Sequence, residues 1–286
     1  MKPGPRGVVE RIGELKALDR IGKIVGGAFD RVVEPGAAKD LLSGTWLGHP
    51  LHPVLTDLPI GFWSSSFTLD VVGGKRSARA SEVLLGLGVL SAIPTALSGL
   101  TDWTDTGGTA RRVGMAHAIG NLATTALFAL SLSARRRGHR LRGIMLSALG
   151  IGTQSASAYL GGHLSFGKGI GVDHTVFDHE PRRWTAVLDA ASLSDGKPVK
   201  AEAGGVGVLV YRDGDEVLAI SDTCSHRGCS LSEGDVQDHV VECPCHGSAF
   251  RLTDGGIVRG PATAPQPAYD ARIADGVVEV KARRRN

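Results

Sequence analysis

Long apolar runs dominate the first part of the chain. Three stretches contain no Asp, Glu, Lys or Arg, namely residues 83–101, 113–134 and 143–167. Each is long enough to cross a hydrocarbon core, which takes about 20 helical residues. Helices of a soluble bundle need a charged outer face, and these stretches lack one for several turns. The pattern therefore predicts membrane-spanning helices.

A fourth, weaker candidate begins near Pro53 and runs to about Val72. Asp57 and Asp70 flank an uncharged but rather polar stretch, PIGFWSSSFTL. Elsewhere, runs rich in Gly and Ser, such as GIGTQSASAYLGG, let helices approach closely where lipid supplies no hydrophobic drive for association. We predict a bundle of four transmembrane helices over residues 46–165.

Residues 1–45 precede this bundle and show apolar positions at helical spacing, with Lys and Arg between them. The apolar positions are Val8, Ile12, Leu15, Leu18, Ile21, Val25, Phe29 and Val32. An amphipathic helix of this kind could lie on the membrane surface. A solvated helix or one packed on the bundle would show the same pattern.

Beyond residue 182 the long apolar runs give way to short β-like ones. VGVLVYR, EVLAIS, HVVEC and VVEVKA are bounded by turn residues such as Asp213-Gly214 and Asp275-Gly276. We predict an all-β domain over residues 183–283, joined to the bundle by a linker at 166–182. The fold class is thus multidomain, an α-helical membrane bundle followed by an all-β domain.

Composition fits this division. The 286 residues suffice for two domains, and a mean hydropathy of +0.02 is what an apolar half and a polar half give together. The net charge of +3, from 32 basic and 29 acidic residues, is too even to indicate nucleic-acid binding.

The chemistry is concentrated in the β domain. All four cysteines lie there, in the motifs Cys224-Ser-His226 and Cys243-Pro-Cys-His246, with Cys229 between them. A secreted disulfide scaffold would scatter its cysteines through a short chain, so the clustering indicates one local site. Two loops that each offer a thiolate and an imidazole suit a thiophilic metal.

Around these motifs the sequence resembles the Rieske iron–sulfur family over residues 183–283. The resemblance implies a [2Fe–2S] cluster, with Cys224 and Cys243 on one iron and His226 and His246 on the other. Two imidazoles leave the cluster less negative than four thiolates would, which raises the reduction potential into a range of about −150 to +300 mV.

The same resemblance assigns roles to the neighbouring residues. It implies a disulfide between Cys229 and Cys245, and Gly260-Pro261-Ala262 looks like the family's proline loop over the cluster. Ser248 matches a serine whose hydroxyl points at a bridging sulfide, and hydrogen-bond donors to sulfur stabilise the reduced form. Quinol-oxidising members have a donor tyrosine where this chain has Phe250, so we expect a lower potential here.

Two other chemistries remain to be weighed. A zinc site takes two Cys and two His equally well, although it would leave the second pair of cysteines surplus. His174 and His179 have the spacing of the iron site in ring-hydroxylating oxygenases, but Gly171 stands where that motif wants an acid. About 40 residues follow the cluster motif, too few for a catalytic domain.

Histidines also lie near the ends of the predicted membrane helices, at His49, His52, His117 and His163. HPLHP with DLPIG after it, and later YLGGHLSFGKGIGVDH, resemble an uncharacterised bacterial family of four-helix membrane proteins, which implies no function. Paired histidines could ligate a haem or a metal, or line a quinone pocket. They could equally be interfacial histidines bonded to carbonyls.

Charges in the short loops predict the orientation. Basic residues are concentrated in the first and third loops, at Lys75, Arg76, Arg79, Arg135, Arg136, Arg137, Arg140 and Arg142. The positive-inside rule places these loops in the cytoplasm and both termini outside. A disulfide in the β domain also indicates an oxidising compartment.

These features together predict a multi-pass protein of the cell membrane whose Rieske domain is extracytoplasmic. We expect it to relay single electrons between a membrane redox partner and another redox protein, such as a cytochrome, reductase or oxygenase, without substrate chemistry of its own. The alternative is a cytoplasmic, ferredoxin-like donor to a reductase or oxygenase, with the helical half as an anchor.

Overall fold

A computed structural model describes residues 4–283 and divides the chain into two compact units. The helical unit holds the N-terminal part up to Glu34 together with Leu51–Ile170. The β unit holds Pro35–Pro50 together with the chain from Gly171 onward. Residues 35–50, which the sequence placed in the N-terminal segment and the start of the bundle, are thus part of the β unit because they pack on its loops.

Seven helices cover most of the chain before residue 163. They are α1 (Pro5–Glu14), α2 (Ala17–Asp30), α3 (Ala37–Ser43), α4 (Leu51–Val72), α5 (Ala78–Thr104), α6 (Gly108–Arg136) and α7 (Arg140–Gly162). All belong to the helical unit except α3, which belongs to the β unit.

Two stretches of the described chain are helical, long and apolar enough to cross a membrane, Gly74–Thr104 and Gly108–Arg136. Helices α4 and α7 have 22 and 23 residues. Asp57 and Asp70 lower the mean hydropathy of α4, and Gln154 does so among the Gly and Ser residues of α7. The predicted helical region before a β domain is confirmed, while the four crossings remain a proposal.

The N-terminal helices pack on the bundle. Arg112 of α6 forms an ion pair with Asp19 of α2, with Nε 2.8 Å from Oδ1, and donates to the Gly13 carbonyl at the end of α1. The Arg111 guanidinium stacks on Trp103, 4.6 Å from the ring centroid. Of the three placements open for this amphipathic segment, the structure therefore shows the bundle-packed one.

The hairpins α4–α5 and α6–α7 make equivalent contacts. In each, a serine of the first helix hydrogen-bonds a serine or carbonyl of the second, and an aromatic ring of the first helix packs on a glycine of the second. The two rings stack 4.4 Å apart. Corresponding positions recur at constant spacing, with His52, Trp63, Ser66 and Asp70 in α4 matching His117, Phe128, Ser131 and Arg135 in α6. The helical unit is therefore an internal repeat of two hairpins.

One pair of corresponding residues forms a buried ion pair. Arg135 Nη2 lies 2.7 Å from Asp70 Oδ2, and the two side chains are 2% and 0% exposed. A charge is tolerated in apolar surroundings only when it is paired, so this arginine turns into the bundle. The sequence placed Arg135 among the basic residues of the third loop, and the structure corrects this by placing it in α6 with its charge paired, whereas Arg136 and Arg137 are exposed.

The β unit contains two antiparallel sheets. The strands are β1 (Thr185–Asp189), β2 (Val199–Ala203), β3 (Val206–Asp213), β4 (Glu216–Ser221), β5 (Val236–Gln237), β6 (Val240–Glu242), β7 (Ala249–Arg251), β8 (Ile257–Arg259), β9 (Ala268–Ala274) and β10 (Val277–Ala282). The large sheet has the order β1-β10-β9-β4-β3-β2, and the small sheet has the order β5-β6-β7-β8.

Turn chemistry and alternation explain these strands. Asp275 and Gly276 have φ of 48° and 80°, the left-handed values that a tight hairpin needs, and they join β9 to β10 as predicted. Apolar side chains of β3 and β4 enter a core that also contains the first cysteine of each motif, Cys224 and Cys243. The core thus extends directly beneath the motif loops.

We predict that Arg135→Ala lowers the stability of the full chain in detergent. The substitution leaves the buried Asp70 carboxylate with the Ser81 hydroxyl at 3.1 Å and the partly exposed Arg140 at 3.3 Å, and breaking a buried pair costs about 3–5 kcal/mol. Thermal unfolding followed by circular dichroism measures the loss. The matched control is Arg136→Ala, which removes the same charge from an exposed neighbouring position. Equal melting temperatures for the two variants would contradict the buried pair.

Candidate metal centre

The first motif loop follows β4 and runs from Cys224 to Cys229. The N–H of Cys224 donates to the Cys229 carbonyl at 2.8 Å, and the N–H of Gly228 donates to the Cys224 carbonyl at 2.8 Å. Gly228 has a φ of 76°, which glycine adopts without steric cost. These bonds close a tight turn around Ser225 and His226.

The second motif loop joins β6 to β7 and has the same hydrogen bonds. The N–H of Cys243 donates to the Ser248 carbonyl at 2.8 Å, and the N–H of Gly247 donates to the Cys243 carbonyl at 3.0 Å. Gly247 also has a φ of 76°. The two loops therefore share one conformation, although one motif is Cys-x-His and the other is Cys-x-x-His.

Each loop contributes one thiol and one imidazole to a common site. The Cys224 thiol hydrogen-bonds Cys243 Sγ, and both cysteines are buried and outside any disulfide. The rings of His226 and His246 lie edge to face with their centroids 5.0 Å apart. The four predicted ligand residues thus come together as a sulfur pair and an imidazole pair.

The surroundings favour the thiolate at one member of the sulfur pair, Cys243. A hydrogen bond from the Cys224 thiol, together with the backbone N–H groups of Cys245 and His246, lowers the pKa of Cys243 to about 6 although burial opposes this. The pKa of Cys224 is raised instead, because its thiol donates the hydrogen bond to Cys243 and is buried, although backbone N–H groups of the first loop also donate to its sulfur. A thiolate is the form that binds a metal, so the lowered pKa of Cys243 fits a metal site.

The imidazole of His226 is held neutral. Burial, and after it the charges of His246, Arg227 and Lys39, lowers the pKa of His226 to about 2. Neutral imidazoles and thiolates are the forms that bind iron, and a cluster with two Cys and two His ligands requires two of each residue type. The residues present therefore fit a Rieske-type [2Fe–2S] cluster.

The remaining cysteines, Cys229 and Cys245, form a disulfide with a Cα–Cα distance of 6.5 Å. Their sulfurs and Cys243 Sγ lie within 4.8 Å of one another. Because Cys229 ends the first loop and Cys245 lies in the second, the bond ties the loops together. It also withdraws two sulfurs from metal binding, which leaves Cys224 and Cys243 for that role.

A third segment, the covering loop (residues 260–265), is bonded to both motif loops. The N–H of Ala262 donates to Ser248 Oγ at 3.0 Å, and Ser225 Oγ donates to the Ala264 carbonyl at 2.7 Å. Gly260 and Pro261 lead into these contacts. The covering loop thus lies where the resemblance expected a proline loop.

Phe250 is fully buried in the core cluster that contains both free thiols. A phenyl ring offers no hydroxyl to a sulfur. The expectation of a potential below that of quinol-oxidising members therefore stands as a prediction.

Asp222, two residues before the first motif, escaped the sequence reading. Its carboxylate accepts from Ser230 Oγ at 2.6 Å and from the Ser232 N–H at 2.8 Å, and Lys200 Nζ lies 3.0 Å away. Burial alone would raise the pKa of Asp222, but these bonds hold it below its ordinary value. The carboxylate anchors the chain that leaves the first loop, and its position beside a ligand motif was the available signal.

The membrane histidines separate into two groups. His52 and His117 lie edge to face, with centroids 6.3 Å apart, and each Nδ1 bonds a helix carbonyl, Thr95 at 2.9 Å and Ser157 at 2.7 Å. His49 belongs to the β unit and bonds the carbonyl of Pro50, while His163 follows the end of α7. These bonds bridge helices, and a haem, metal or quinone role stays a prediction.

Two motif loops that converge on one site, under a covering loop and on a core of two antiparallel sheets, define an iron–sulfur electron-transfer domain. Residues 183–270 match the Rieske [2Fe–2S] domain, and the chain belongs to that family. Residues 48–174 match the family described as predicted membrane protein DUF2231. Both resemblances read from the sequence are thereby confirmed, and so is the membrane association of the chain.

Known relatives align with the β unit. The anthranilate 1,2-dioxygenase ferredoxin subunit of Burkholderia cepacia is 41% identical over 97 residues, which are 34% of this chain and 90% of that one. The cytochrome b6-f complex iron-sulfur subunit of Chlorobaculum thiosulfatiphilum is 36% identical over 94 residues, which are 32% of this chain and 51% of that one. The solved structure of the ferredoxin of carbazole 1,9a-dioxygenase from Nocardioides aromaticivorans is 31% identical, with a TM-score of 0.34. The match covers 35% of this chain and 98% of that chain.

We predict that Asp222→Asn lowers the free energy of unfolding of the full chain by about 1–3 kcal/mol at pH 7, the cost of an imperfectly bonded buried group. Since the folded-state pKa of Asp222 is depressed, its stabilisation is present above about pH 4 and is lost as the pH falls through the folded-state pKa. Thermal unfolding of both proteins from pH 7 down to pH 3 should show the difference shrinking. Asp215→Asn, at an exposed hairpin position, is the matched control. A difference independent of pH would contradict the role of the carboxylate.

Proposed function

We propose that this protein is a membrane-anchored electron carrier in which Cys224, His226, Cys243 and His246 hold a [2Fe–2S] cluster. One observation carries the assignment, the convergence of two identically folded loops that pair two free thiols and two imidazoles. A zinc ion would accept the same four residues. The family match over this domain favours the cluster, which supplies a one-electron couple when bound.

The residues of the chain define how such a couple would work. Backbone N–H groups directed at the two sulfurs stabilise added negative charge. We propose the Ser248 hydroxyl as a further donor to the cluster. The core beneath the loops excludes water from the thiols, while His226 and His246 are each only partly buried. The imidazole edge is therefore the proposed point at which a redox partner exchanges an electron.

Two kinds of partner fit the known relatives. We favour relay between a membrane redox partner and a second redox protein, because the helical unit matches a membrane family. The second candidate is an electron donor to an oxygenase or reductase. It is supported by the 41% identity to a dioxygenase ferredoxin subunit.

Spectroscopy of the purified full chain tests the assignment. We predict the optical and EPR spectra of a Rieske cluster, with a midpoint potential below that of quinol-oxidising complexes because Phe250 offers no donor. Cys224→Ser and His246→Ala should abolish the signal, since each removes an iron ligand. His239→Ala, which changes a partly exposed histidine bonded to Asp213, is the control and should retain it. Stoichiometric zinc without iron would refute the proposal.

The arrangement of the chain supports an even number of membrane crossings. Pro35–Pro50, before the bundle, and the chain after Gly171 form one compact unit, so both must lie on the same side of a membrane. Four crossings by α4 to α7 satisfy this requirement. One or three crossings would not.

We further propose that this side is extracytoplasmic. The Cys229–Cys245 disulfide fits an oxidising compartment, and Lys75, Arg76 and Arg136 remain exposed in the loops assigned to the cytoplasm. We predict that alkaline phosphatase fused after residue 286 is active and that a fluorescent protein fused there is dark. A fluorescent protein that fluoresces at this position, together with an inactive phosphatase, would place the domain in the cytoplasm and favour the oxygenase-donor function.

A further inference from the structure

The segment Pro35–Pro50, here called the strap, is bonded to the covering loop across more than two hundred residues of sequence. Asp40 Oδ1 accepts from the N–H of Gly260 at 2.9 Å. Thr45 Oγ1 donates to the Ala262 carbonyl at 3.1 Å. A Cβ on Gly260 would collide with Thr45 Oγ1 and lie 2.8 Å from Asp40 Oδ1. The strap and the covering loop are therefore in close, specific contact.

These bonds continue to the metal centre. Ala262, whose carbonyl accepts from Thr45, donates its own N–H to Ser248 Oγ at 3.0 Å. Ser248 in turn accepts from the N–H of Cys243 through its own carbonyl at 2.8 Å. Three hydrogen bonds thus connect Thr45 through Ala262 and Ser248 to Cys243, one of the proposed cluster ligands.

The strap lies outside the family domain. The match to the Rieske family covers residues 183–270, and the match to a ferredoxin subunit over 97 residues takes in 90% of that subunit's length. The family fold is therefore complete without the strap. Yet the strap buries Lys39, which is 8% exposed, and a lysine is rarely buried to this degree unless it is paired.

We propose that Asp40 and Thr45 are positioning residues of the iron–sulfur centre, which hold the covering loop against Ser248 and thereby raise the reduction potential. The inference rests on the proposed function, because it requires a cluster in the site. With both bonds made, the Ala262 N–H fixes the Ser248 oxygen and leaves its O–H hydrogen as a donor. A fixed donor to sulfur stabilises the reduced, more negative form. Without the strap bonds, the covering loop can move away and the hydroxyl can turn.

Three substitutions test the threonine in the full chain. Thr45→Val keeps the shape and removes the donor, Thr45→Ser restores the donor, and Thr185→Val makes the same change at a half-buried threonine of β1 whose hydroxyl donates to the Arg183 carbonyl. In a mediated redox titration followed by EPR, Thr45→Val should lower the ratio of reduced to oxidised protein at a fixed potential at least threefold. Thr45→Ser and Thr185→Val should match the wild type. A titration curve of Thr45→Val that superimposes on the wild type overturns the inference.

Two substitutions at Asp40 separate positioning from simple charge. Asp40→Asn removes the charge but keeps an oxygen for the Gly260 N–H, whereas Asp40→Ala removes both. Positioning predicts a fall in potential for Asp40→Ala relative to Asp40→Asn. A through-space effect of the carboxylate would raise the potential equally in both variants, because loss of a nearby negative charge favours reduction. Equal shifts in both variants would therefore refute positioning.

Hydrogen exchange separates this inference from the proposed function. Amide exchange measured by mass spectrometry on peptides spanning residues 255–266 should accelerate in Thr45→Val and Asp40→Ala and stay unchanged in Thr185→Val. This readout does not depend on the cluster. A wild-type protein without a Rieske EPR signal defeats the proposed function, whereas a wild-type signal with unaltered exchange and potential in the variants defeats the strap alone.

Discussion

The disulfide between Cys229 and Cys245 joins two loops that come from different sheets, one after β4 of the large sheet and one between β6 and β7 of the small sheet. Each loop holds its own shape through the same pair of backbone bonds and a left-handed glycine. Neither loop alone can form the sulfur pair, because Cys224 belongs to the first loop and Cys243 to the second. The covalent link makes the two separate turns into one site, because it limits the relative movement of the loops to the range in which Cys224 and Cys243 meet.

Features that depend on local interactions could be predicted from the sequence. Long uncharged runs predict the helices, since a buried or lipid-facing helix has no use for charge, and the cysteine–histidine spacing predicts both motif loops. The assignment of Arg135 to a loop was wrong for a physical reason. A basic residue at the end of an apolar run looks free in the sequence, and only the three-dimensional approach of Asp70 shows that its charge is neutralised within the bundle.

Contacts between distant segments could not be read in this way. Asp40 and Thr45 stand in a short, ordinary helix and turn, and nothing in their neighbourhood indicates a partner 220 or 217 residues later. The repeated hairpin was missed although its signal is present. A histidine, an aromatic residue and a serine recur in α4 and α6 at the same spacing, yet identical residues are too few for the repeat to be seen without the contacts that make the positions equivalent.

The strap also makes the β unit discontinuous, with helices α4 to α7 inserted between its two parts. During synthesis the strap leaves the ribosome before any membrane helix, and its binding surface is made only after the last one. The strap therefore cannot bond the covering loop until the bundle and the rest of the β unit have been synthesised. A fragment that begins after the bundle would lack the strap altogether, so its redox behaviour would describe the family domain and not the domain as this chain assembles it.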